Sequence, residues 1–207
     1  MRLRGLYAIT PDNADSAALI EKARQALEGG IALLQYRNKL AGPAQRLAEA
    51  KELALLARRH GVPFIVNDEV ELALAAGADG AHLGSDDGDL AGARARLGAR
   101  LLGASCHASL EVAGAAVRAG VDYVAFGSVY PSPTKPGAVR APLALFGEAR
   151  AFGVPLAAIG GITLERAPEV LRAGADLLAV ISDLFDATDI AARAREYDRL
   201  FSHAVAQ

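Results

Sequence analysis

The sequence contains one cysteine, no tryptophan and no apolar run of membrane-spanning length. A lone cysteine, Cys106, rules out an intramolecular disulfide, which fits a reducing compartment. A transmembrane helix needs about 20 consecutive apolar residues, and the N-terminal stretch also lacks the apolar core of a signal peptide. We therefore expect a soluble, cytoplasmic protein that does not contact a membrane.

An excess of positive charge is also missing. The chain carries 22 Lys and Arg against 24 Asp and Glu, a net charge of −2, and the two signs are interleaved, so no footprint for nucleic acid is present. Aromatic residues make up only 5%, which leaves Ala, Leu, Val and Ile to form the core. A domain of this size buries roughly 70% of its unfolded surface without help from a metal. We predict a single domain over residues 1–207.

Short apolar strands alternate with amphipathic helices along the whole chain. Strands buried on both faces read as continuous apolar runs, and strict alternation with helices implies a parallel sheet. Eight such units in about 200 residues predict a (β/α)8 TIM barrel. The alternative is an open, doubly wound sheet, which usually has a Gly-rich turn after its first strand. The predicted strands are 6–10, 31–36, 63–67, 80–83, 101–106, 123–126, 155–159 and 177–181, and the helices are 16–28, 43–60, 69–77, 90–97, 109–119, 142–152, 164–173 and 189–204.

A repeat in the turns before alternate strands supports the barrel. Gly-Gly-Ile-Ala, Ala-Gly-Ala-Asp, Ala-Gly-Val-Asp and Ala-Gly-Ala-Asp precede strands 2, 4, 6 and 8. These turns would lie at the N-terminal rim of a barrel, where residues serve stability. We assign the repeat to folding and expect the active-site residues at the opposite rim.

Polar side chains follow the strands at their C-terminal ends, where barrel enzymes place their active sites. Strand 2 ends in Gln35, Arg37 and Lys39, which share one face because side chains alternate along a strand. The other candidates at strand ends are Asn67, Asp68, Asp87, Ser105, His107, Gly160, Gly161 and Ser182.

Asp68 and Asp87 follow adjacent strands and would lie near Arg37 and Lys39. Two carboxylates close to cationic side chains suggest a hard cation shared with phosphate oxygens, and Mg²⁺ is usually bound in this way. The alternative is that each aspartate caps the helix that follows it. Asp86 and Asp89 lie in the same loop, so the choice of Asp87 stays open from the residues alone.

The end of strand 7 predicts a second anion site. The backbone amides of Gly160 and Gly161, ahead of a helix, together with Ser182 after strand 8, match the phosphate site of many barrels. A Gly-Gly turn without a ligand is the alternative. Two such sites indicate two phosphorylated small molecules, or one bisphosphate.

Residues 123–137 combine a buried strand with a stiff loop. Three prolines restrict the backbone of the loop, and Ser132, Thr134 and Lys135 remain to contact an anionic oxygen. The alternative is a proline-rich surface loop with an incidental lysine.

Several other side chains carry weaker signals. His107 is a candidate acid or base, whereas we interpret His82, His60 and His203 as structural. Cys106 alternates away from Ser105 and is expected to pack. Tyr36 and Tyr130 fit either the wall of a ring-binding pocket or the core.

At these residues the sequence resembles the thiamine phosphate synthase family, over nearly its whole length and in order. The motifs that carry the resemblance are Gln-Tyr-Arg-Asn-Lys (35–39), Val-Asn-Asp (66–68), His-Leu-Gly-Ser-Asp-Asp (82–87), Gly-Ala-Ser-Cys-His (103–107), Pro-Ser-Pro-Thr-Lys-Pro (131–136), Ile-Gly-Gly-Ile (159–162) and Val-Ile-Ser (180–182). Two positions depart from the family pattern, which often has Gln at Ser85 and Thr at Ser132.

The resemblance implies a transferase that joins hydroxymethylpyrimidine pyrophosphate to a thiazole phosphate and releases pyrophosphate. It assigns a pyrimidine contact to Gln35 and a Mg²⁺ site to Asp68 and Asp87. Pyrophosphate and nearby pyrimidine groups would be held by Arg37, Lys39, Asn67, Ser105 and Lys135. The thiazole phosphate would be held by Ser132, Thr134, Gly161, Ile181 and Ser182. It further implies a dissociative reaction, in which Arg37, Lys39, Ser105 and Lys135 act on the leaving group.

Two other functions remain open. A thiazole tautomerase-like relative would use His107 as acid or base and would need no pair of aspartates. A phosphate-binding barrel without activity would keep the anion sites alone. The sequence is compatible with a homo-oligomer and does not set the oligomeric state.

Overall fold

Strands and helices alternate throughout the computed structural model, which describes residues 3–84, 87–131 and 140–203 and, at residue 203, the backbone only. The strands are β1 (Gly5–Ile9), β2 (Leu33–Tyr36), β3 (Phe64–Asn67), β4 (Gly80–Leu83), β5 (Leu101–Ser105), β6 (Tyr123–Phe126), β7 (Leu156–Ile159) and β8 (Leu177–Val180). The helices are α1 (Ser16–Glu28), α2 (Pro43–Arg59), α3 (Val70–Ala76), α4 (Leu90–Leu97), α5 (Leu110–Arg118), α6 (Ala144–Ala149), α7 (Ala167–Ala173), α8 (Ser182–Phe185) and α9 (Ile190–His203). None of the helices within these ranges is long and apolar enough to cross a membrane.

The sheet is a closed barrel of eight parallel strands in chain order. β1 pairs with β2 on one side and with β8 on the other, where Gly5 lies opposite Leu177 and Ala8 opposite Val180. This closure confirms the predicted (β/α)8 barrel and excludes the open doubly wound sheet. It also brings the C-terminal ends of all eight strands to one rim.

The elements differ from the prediction mainly after strands 7 and 8. Helix α7 begins at Ala167, three residues later than predicted, since a turn covers the preceding residues and Pro168 occupies its first turn. Proline is tolerated there because the first amides of a helix have no intrahelical partner. The four-residue helix α8 was not predicted, because a single turn is too short to show a helical period.

Apolar side chains form two layers. The larger one fills the space between the strands and the helices, and it includes Leu34, Val66 and Phe126. The smaller one lies inside the barrel and includes Leu33, Ile65 and Leu177. Because successive side chains of a strand point to opposite faces, each strand contributes to both layers.

The repeated aspartates before alternate strands form hydrogen bonds that stabilise the N-terminal rim of the barrel. The Oδ2 atom of Asp79 accepts a hydrogen bond from the amide of Phe64 at 2.9 Å. Asp122 and Asp176 accept in the same way from Leu102 and Leu156, at 2.7 and 3.1 Å. Each aspartate thus satisfies an amide of the preceding strand, as expected of residues assigned to folding.

We expect Asp79→Ala to lower the free energy of unfolding by about 1 kcal/mol, because the buried amide of Phe64 loses its acceptor. Asp79→Asn keeps a side-chain oxygen and is expected to cost less than half as much. Urea unfolding of the three proteins measures the difference. An alanine variant as stable as the wild type would show that this hydrogen bond does not stabilise the rim.

Candidate functional site

A cavity of about 900 Å³ opens at the rim formed by the C-terminal ends of the strands. Every strand of the barrel contributes to its lining. Of the thirteen site residues that the resemblance assigns, ten are described by the structure, and all ten line this cavity: Gln35, Arg37, Lys39, Asn67, Asp68, Asp87, Ser105, Gly161, Ile181 and Ser182. Ser132, Thr134 and Lys135 lie outside the described residues, as does Ser85.

Arg37 and Lys39 bring positive charge to the β2 side of the cavity, and Asp12 orients both. Arg37 Nη1 donates to Asp12 Oδ2 at 2.8 Å, and the Lys39 amide donates to Asp12 Oδ1 at 2.6 Å. Partial burial opposes ionisation of Asp12, but the Lys39 amide and the Arg37 guanidinium outweigh it and lower the Asp12 pKa. Asp12 therefore stays ionised and holds the two cationic residues at the rim.

Asp68 and Asp87 converge beside these cations. Their carboxyl groups are close enough to share a hydrogen bond, and Lys39 Nζ lies 3.8 Å from Asp68 Oδ2. Asp68 adopts a left-handed backbone conformation, with φ of 63°, which non-glycine residues seldom adopt.

Neither aspartate caps a helix, so the capping alternative is wrong. Glu69 stands at the N-cap of α3 and makes no side-chain cap. At α4 the cap is Asp89, whose carboxylate accepts from the amides of Ala91 and Gly92. Asp87 instead turns back and accepts from the Gly84 amide at 2.7 Å.

The electrostatics of the Asp68 and Asp87 pair suit a cation. Burial, followed by the neighbouring Asp87 carboxyl, raises the pKa of Asp68 to about 6, although Lys39 and Arg37 act in the opposite direction. A divalent ion between the two carboxylates would remove this repulsion. Within the described ranges no group of three or more His, Cys, Asp or Glu side chains is placed to hold a metal. Two carboxylates, completed by water and phosphate oxygens, are the ligand set that Mg²⁺ commonly takes.

The β7 and β8 side of the cavity presents backbone and one further cation. Gly160 and Gly161 have φ of 101° and 62°, and a Cβ atom on Gly161 would lie 2.3 Å from the Pro131 carbonyl oxygen. Their amides do not belong to the first turn of α7, which begins six residues after Gly161. The expected help from that helix dipole is therefore absent.

Arg166 supplies the positive charge on this side. Its Nη1 donates to the Gly161 carbonyl oxygen at 2.7 Å, and its Cζ lies 4.8 Å from the centroid of the Tyr130 ring. Tyr130 Oη in turn donates to Glu169 at 2.8 Å. Arg166, Thr163, Ser182 and Asp183 all line the cavity, so this side combines a cation, a carboxylate, hydroxyls and glycine backbone.

The beginning of the loop after β6 packs directly on the β7 side. The amides of Val129 and Tyr130 donate to the carbonyl oxygens of Ile159 and Gly160, at 2.9 and 3.0 Å. Ser128 and Pro131 line the cavity. The described start of this loop therefore lies beside β7 at the cavity, and residues 132–139 lie outside the described part of the chain.

The floor of the cavity is a buried polar network that the sequence did not reveal. Gln35 Nε2 donates to Tyr7 Oη at 2.6 Å, and Tyr7 Oη lies 2.8 Å from Tyr123 Oη. His82 joins Tyr123 Oη through Nδ1, at 2.8 Å, and Ser105 Oγ through Nε2, at 2.9 Å. His82 is therefore part of the cavity lining, and its interpretation as purely structural was incomplete.

The remaining candidates divide between site and core. His107 lines the cavity and has φ of 50°. Cys106 is fully buried, and burial raises the pKa of its thiol to about 12, which fits packing and not nucleophilic chemistry. Tyr36 packs outside the barrel, where its hydroxyl donates to Glu49 at 2.6 Å.

The sequence does contain a feature that distinguishes some of the residues of the cavity floor. A polar side chain inside a short strand that is covered on both faces is unusual, and Tyr7, His82 and Tyr123 all meet that description. Asp12 and Arg166 lie in a turn and before a helix, where polar residues are common, and nothing in their spacing distinguishes them.

Comparison with known proteins agrees with this geometry. A family model described as thiamine monophosphate synthase matches residues 6–184. Thiamine-phosphate synthases of Aromatoleum aromaticum and an Azoarcus species are 58% and 57% identical to this chain, covering 97% of it and 97% and 98% of the relatives. The solved structure of a thiamine phosphate pyrophosphorylase from Pyrococcus furiosus superimposes with a TM-score of 0.87 and 34% identity, over 99% of this chain and 98% of that one.

Acid should destabilise the fold through His82. Burial lowers its pKa to about 4, against 6.5 for the exposed side chain, although the Asp87 charge acts in the opposite direction. The neutral ring stabilises the fold fully above pH 6.5, and this contribution is lost as the pH falls towards 4. We expect the stability advantage of the wild type over His82→Gln to shrink by about 2 kcal/mol between pH 7.5 and 5. Urea unfolding at both pH values measures it, and a constant advantage would contradict the buried neutral histidine.

Proposed function

The chain belongs to the thiamine monophosphate synthase family, and on that premise we propose that it condenses hydroxymethylpyrimidine pyrophosphate with hydroxyethylthiazole phosphate. The products would be thiamine phosphate and pyrophosphate. Relatives at more than 50% identity over nearly the full length carry the name thiamine-phosphate synthase, so the protein is an enzyme of the transferase class. The substrates, the metal and the roles of individual residues are the proposal.

One observation carries the proposal: a single cavity joins two anion-binding regions of different chemistry. The β2–β4 side has Arg37, Lys39 and the two aspartates, which suit a pyrophosphate with a divalent ion. The β7–β8 side has Arg166, Ser182 and the Gly160–Gly161 backbone, which suit a monophosphate. One bisphosphate would need two similar sites, whereas two substrates of unequal charge account for this asymmetry.

The residues take their roles from these positions. Arg37, Lys39 and Asn67 would hold the pyrophosphate, with Lys135 from the loop after β6. Gln35 and Ser105, at the cavity floor, would contact the pyrimidine and its leaving group. Gly161, Ile181 and Ser182 would hold the thiazole phosphate, with Ser132 and Thr134 from the same loop.

The reaction needs no protein nucleophile. The bond between the pyrimidine methylene carbon and the pyrophosphate oxygen breaks first, and its electron pair leaves with pyrophosphate. The thiazole nitrogen then donates its lone pair to the pyrimidine-methyl cation and forms the new C–N bond. Arg37 and Lys39 stabilise the negative charge that develops on the leaving group, and the cavity holds the two rings in contact, so catalysis comes from electrostatics and positioning.

Asp68 and Asp87 would hold Mg²⁺ in this enzyme. When bound, the ion would neutralise pyrophosphate oxygens and assist departure of the leaving group. The raised pKa of Asp68 supports this assignment, since the paired carboxylates disfavour their own ionisation without a cation.

The direct test mixes the purified protein with both substrates and Mg²⁺ and follows thiamine phosphate by chromatography. We expect product and pyrophosphate in equal amounts, and none when either substrate is omitted. Conversion of one thiazole phosphate isomer into another, without the pyrimidine substrate, would instead favour the tautomerase-like alternative with His107 as acid or base. Binding of phosphates without any product would favour the non-catalytic barrel.

We expect Asp68→Asn and Asp87→Asn each to lower kcat about 100-fold, the scale for losing one electrostatic contact to a charged transition state. Excess Mg²⁺ should restore part of the activity, because a weakened site fills at higher concentration. Asp89→Asn is the matched control: it makes the same change in the same loop, at a helix cap that asparagine serves equally well. Full activity of the wild type with EDTA and no divalent ion would refute the metal site.

A further inference from the structure

Five side chains form one continuous hydrogen-bonded chain across the barrel interior. They run from Gln35 through Tyr7, Tyr123 and His82 to Ser105, with successive donor–acceptor distances of 2.6, 2.8, 2.8 and 2.9 Å. The three inner members have at most 7% of their surface exposed. Gln35 and Ser105, the two ends, line the cavity. Tyr7 and His82 also line the cavity, whereas Tyr123 does not, so the chain links Gln35 to Ser105 along the cavity floor.

The donor at Gln35 favours one direction for the hydrogen bonds along these five side chains, because in that direction no hydroxyl or ring proton is left without an acceptor. Gln35 Nε2 donates to Tyr7 Oη, so the single hydroxyl proton of Tyr7 is free to go to Tyr123. In that direction the proton of Tyr123 would go to His82 Nδ1, and the ring proton of His82 would stay on Nε2 and be donated to Ser105 Oγ. Each phenol and the imidazole use every donor once in this arrangement.

In this direction, each end of the hydrogen-bonded chain presents one polar group to the cavity. Ser105 accepts from His82, so its own hydroxyl proton points to the cavity. Gln35 gives one N–H to Tyr7, so its carbonyl oxygen remains to accept from the cavity. A hydroxyl that faces an anionic leaving group is useful only as a donor, which agrees with the direction that Gln35 imposes.

The surroundings hold the chain in place. A Cβ atom on Gly103 would lie 2.1 Å from Tyr123 Cζ, so the glycine provides the space that the phenol ring occupies. The Tyr7 and Tyr123 rings meet edge to face at 5.9 Å, and the His82 ring stacks on Tyr123 at 5.5 Å. Burial raises the pKa of both tyrosines, so both phenols keep their protons.

We propose that Tyr7, Tyr123 and His82 are positioning residues that set the hydrogen-bonding polarity of the cavity floor. Through them Gln35 is held as an acceptor and Ser105 as a donor towards the pyrimidine substrate. The kinetic part of this inference rests on the proposed function. The polarity itself is a property of the protein and is measured without any substrate.

The first experiment determines the His82 tautomer by ¹⁵N NMR of the full chain labelled at histidine, at pH 7.5, with the His82→Gln spectrum for assignment. We expect the proton on Nε2 in the wild type. In Tyr123→Phe, which removes the donor to Nδ1, we expect a mixture of tautomers. Tyr7→Phe keeps the Tyr123–His82 contact but removes the link to Gln35 that sets its direction, so it should also give a mixture of tautomers. A proton on Nδ1 in the wild type would overturn the proposed polarity, whatever the activity of the protein.

The second experiment measures kinetics with the same variants. Tyr123→Phe should lower kcat, or kcat/KM for the pyrimidine substrate, about tenfold, the effect of losing one oriented hydrogen bond. KM for the thiazole phosphate should stay within twofold, because none of the described residues assigned to its phosphate is hydrogen-bonded to these five side chains. Tyr36→Phe, which removes a buried phenol hydroxyl outside the barrel, is the control and should change neither tautomer nor kinetics.

The outcomes separate the two proposals. The expected tautomer in a protein that forms no thiamine phosphate would refute the proposed function and leave the polarity standing. An active wild type whose Tyr123→Phe variant keeps both the tautomer and the kinetic constants would refute the positioning role. An equal rise in KM for both substrates would indicate general loosening of the site and would also refute it.

Discussion

Closure of the parallel sheet, with β1 paired to β8, is the constraint on which the rest of the structure depends. In an open sheet, the residues that follow the second strand would lie far from those that follow the eighth. In the closed barrel their C-terminal ends form one ring, so Arg37 and Ser182 line the same cavity although 145 positions apart in the sequence. The repeated aspartates serve this closure from the other rim by satisfying strand amides.

Charge at the site is balanced locally. Asp12 orients Arg37 and Lys39, and Lys39 in turn approaches Asp68. The repulsion that remains between Asp68 and Asp87 is the feature that a cation would relieve. Among the described residues, the β7–β8 side of the cavity has the cation Arg166 and the carboxylate Asp183, together with backbone and hydroxyl groups. This difference makes the two ends of the cavity suitable for unequal anions.

The sequence predicted the barrel, and the described candidate residues at the strand ends line one cavity, because both features depend on local patterns. Alternating apolar segments and terminal glycines mark strands and helices, and residues such as Asp68 and Gly161 stand out directly after a strand. The polar network at the cavity floor was not predicted. Whether Tyr7 and Tyr123 meet depends on the register between the strands and on which side chains point into the barrel, and neither can be read from a local pattern. The start of α7 was misplaced since Thr163 begins a turn before the helix. A cytoplasmic location, the homo-oligomer and the roles of all the site residues, Ser132, Thr134 and Lys135 included, stay predictions.

The pairing of Gly103 with Tyr123 has a consequence for how such a pocket changes over evolution or in the laboratory. The Tyr123 ring occupies the space that a side chain at position 103 on the neighbouring strand would need, so the phenol can lie behind the cavity floor only because residue 103 is glycine. A smaller residue at Tyr123 would deepen the pocket towards the barrel centre, while a larger one at Gly103 demands a compensating reduction at Tyr123. The two positions should therefore vary together, and they offer a route to admit bulkier rings without altering the phosphate contacts above them.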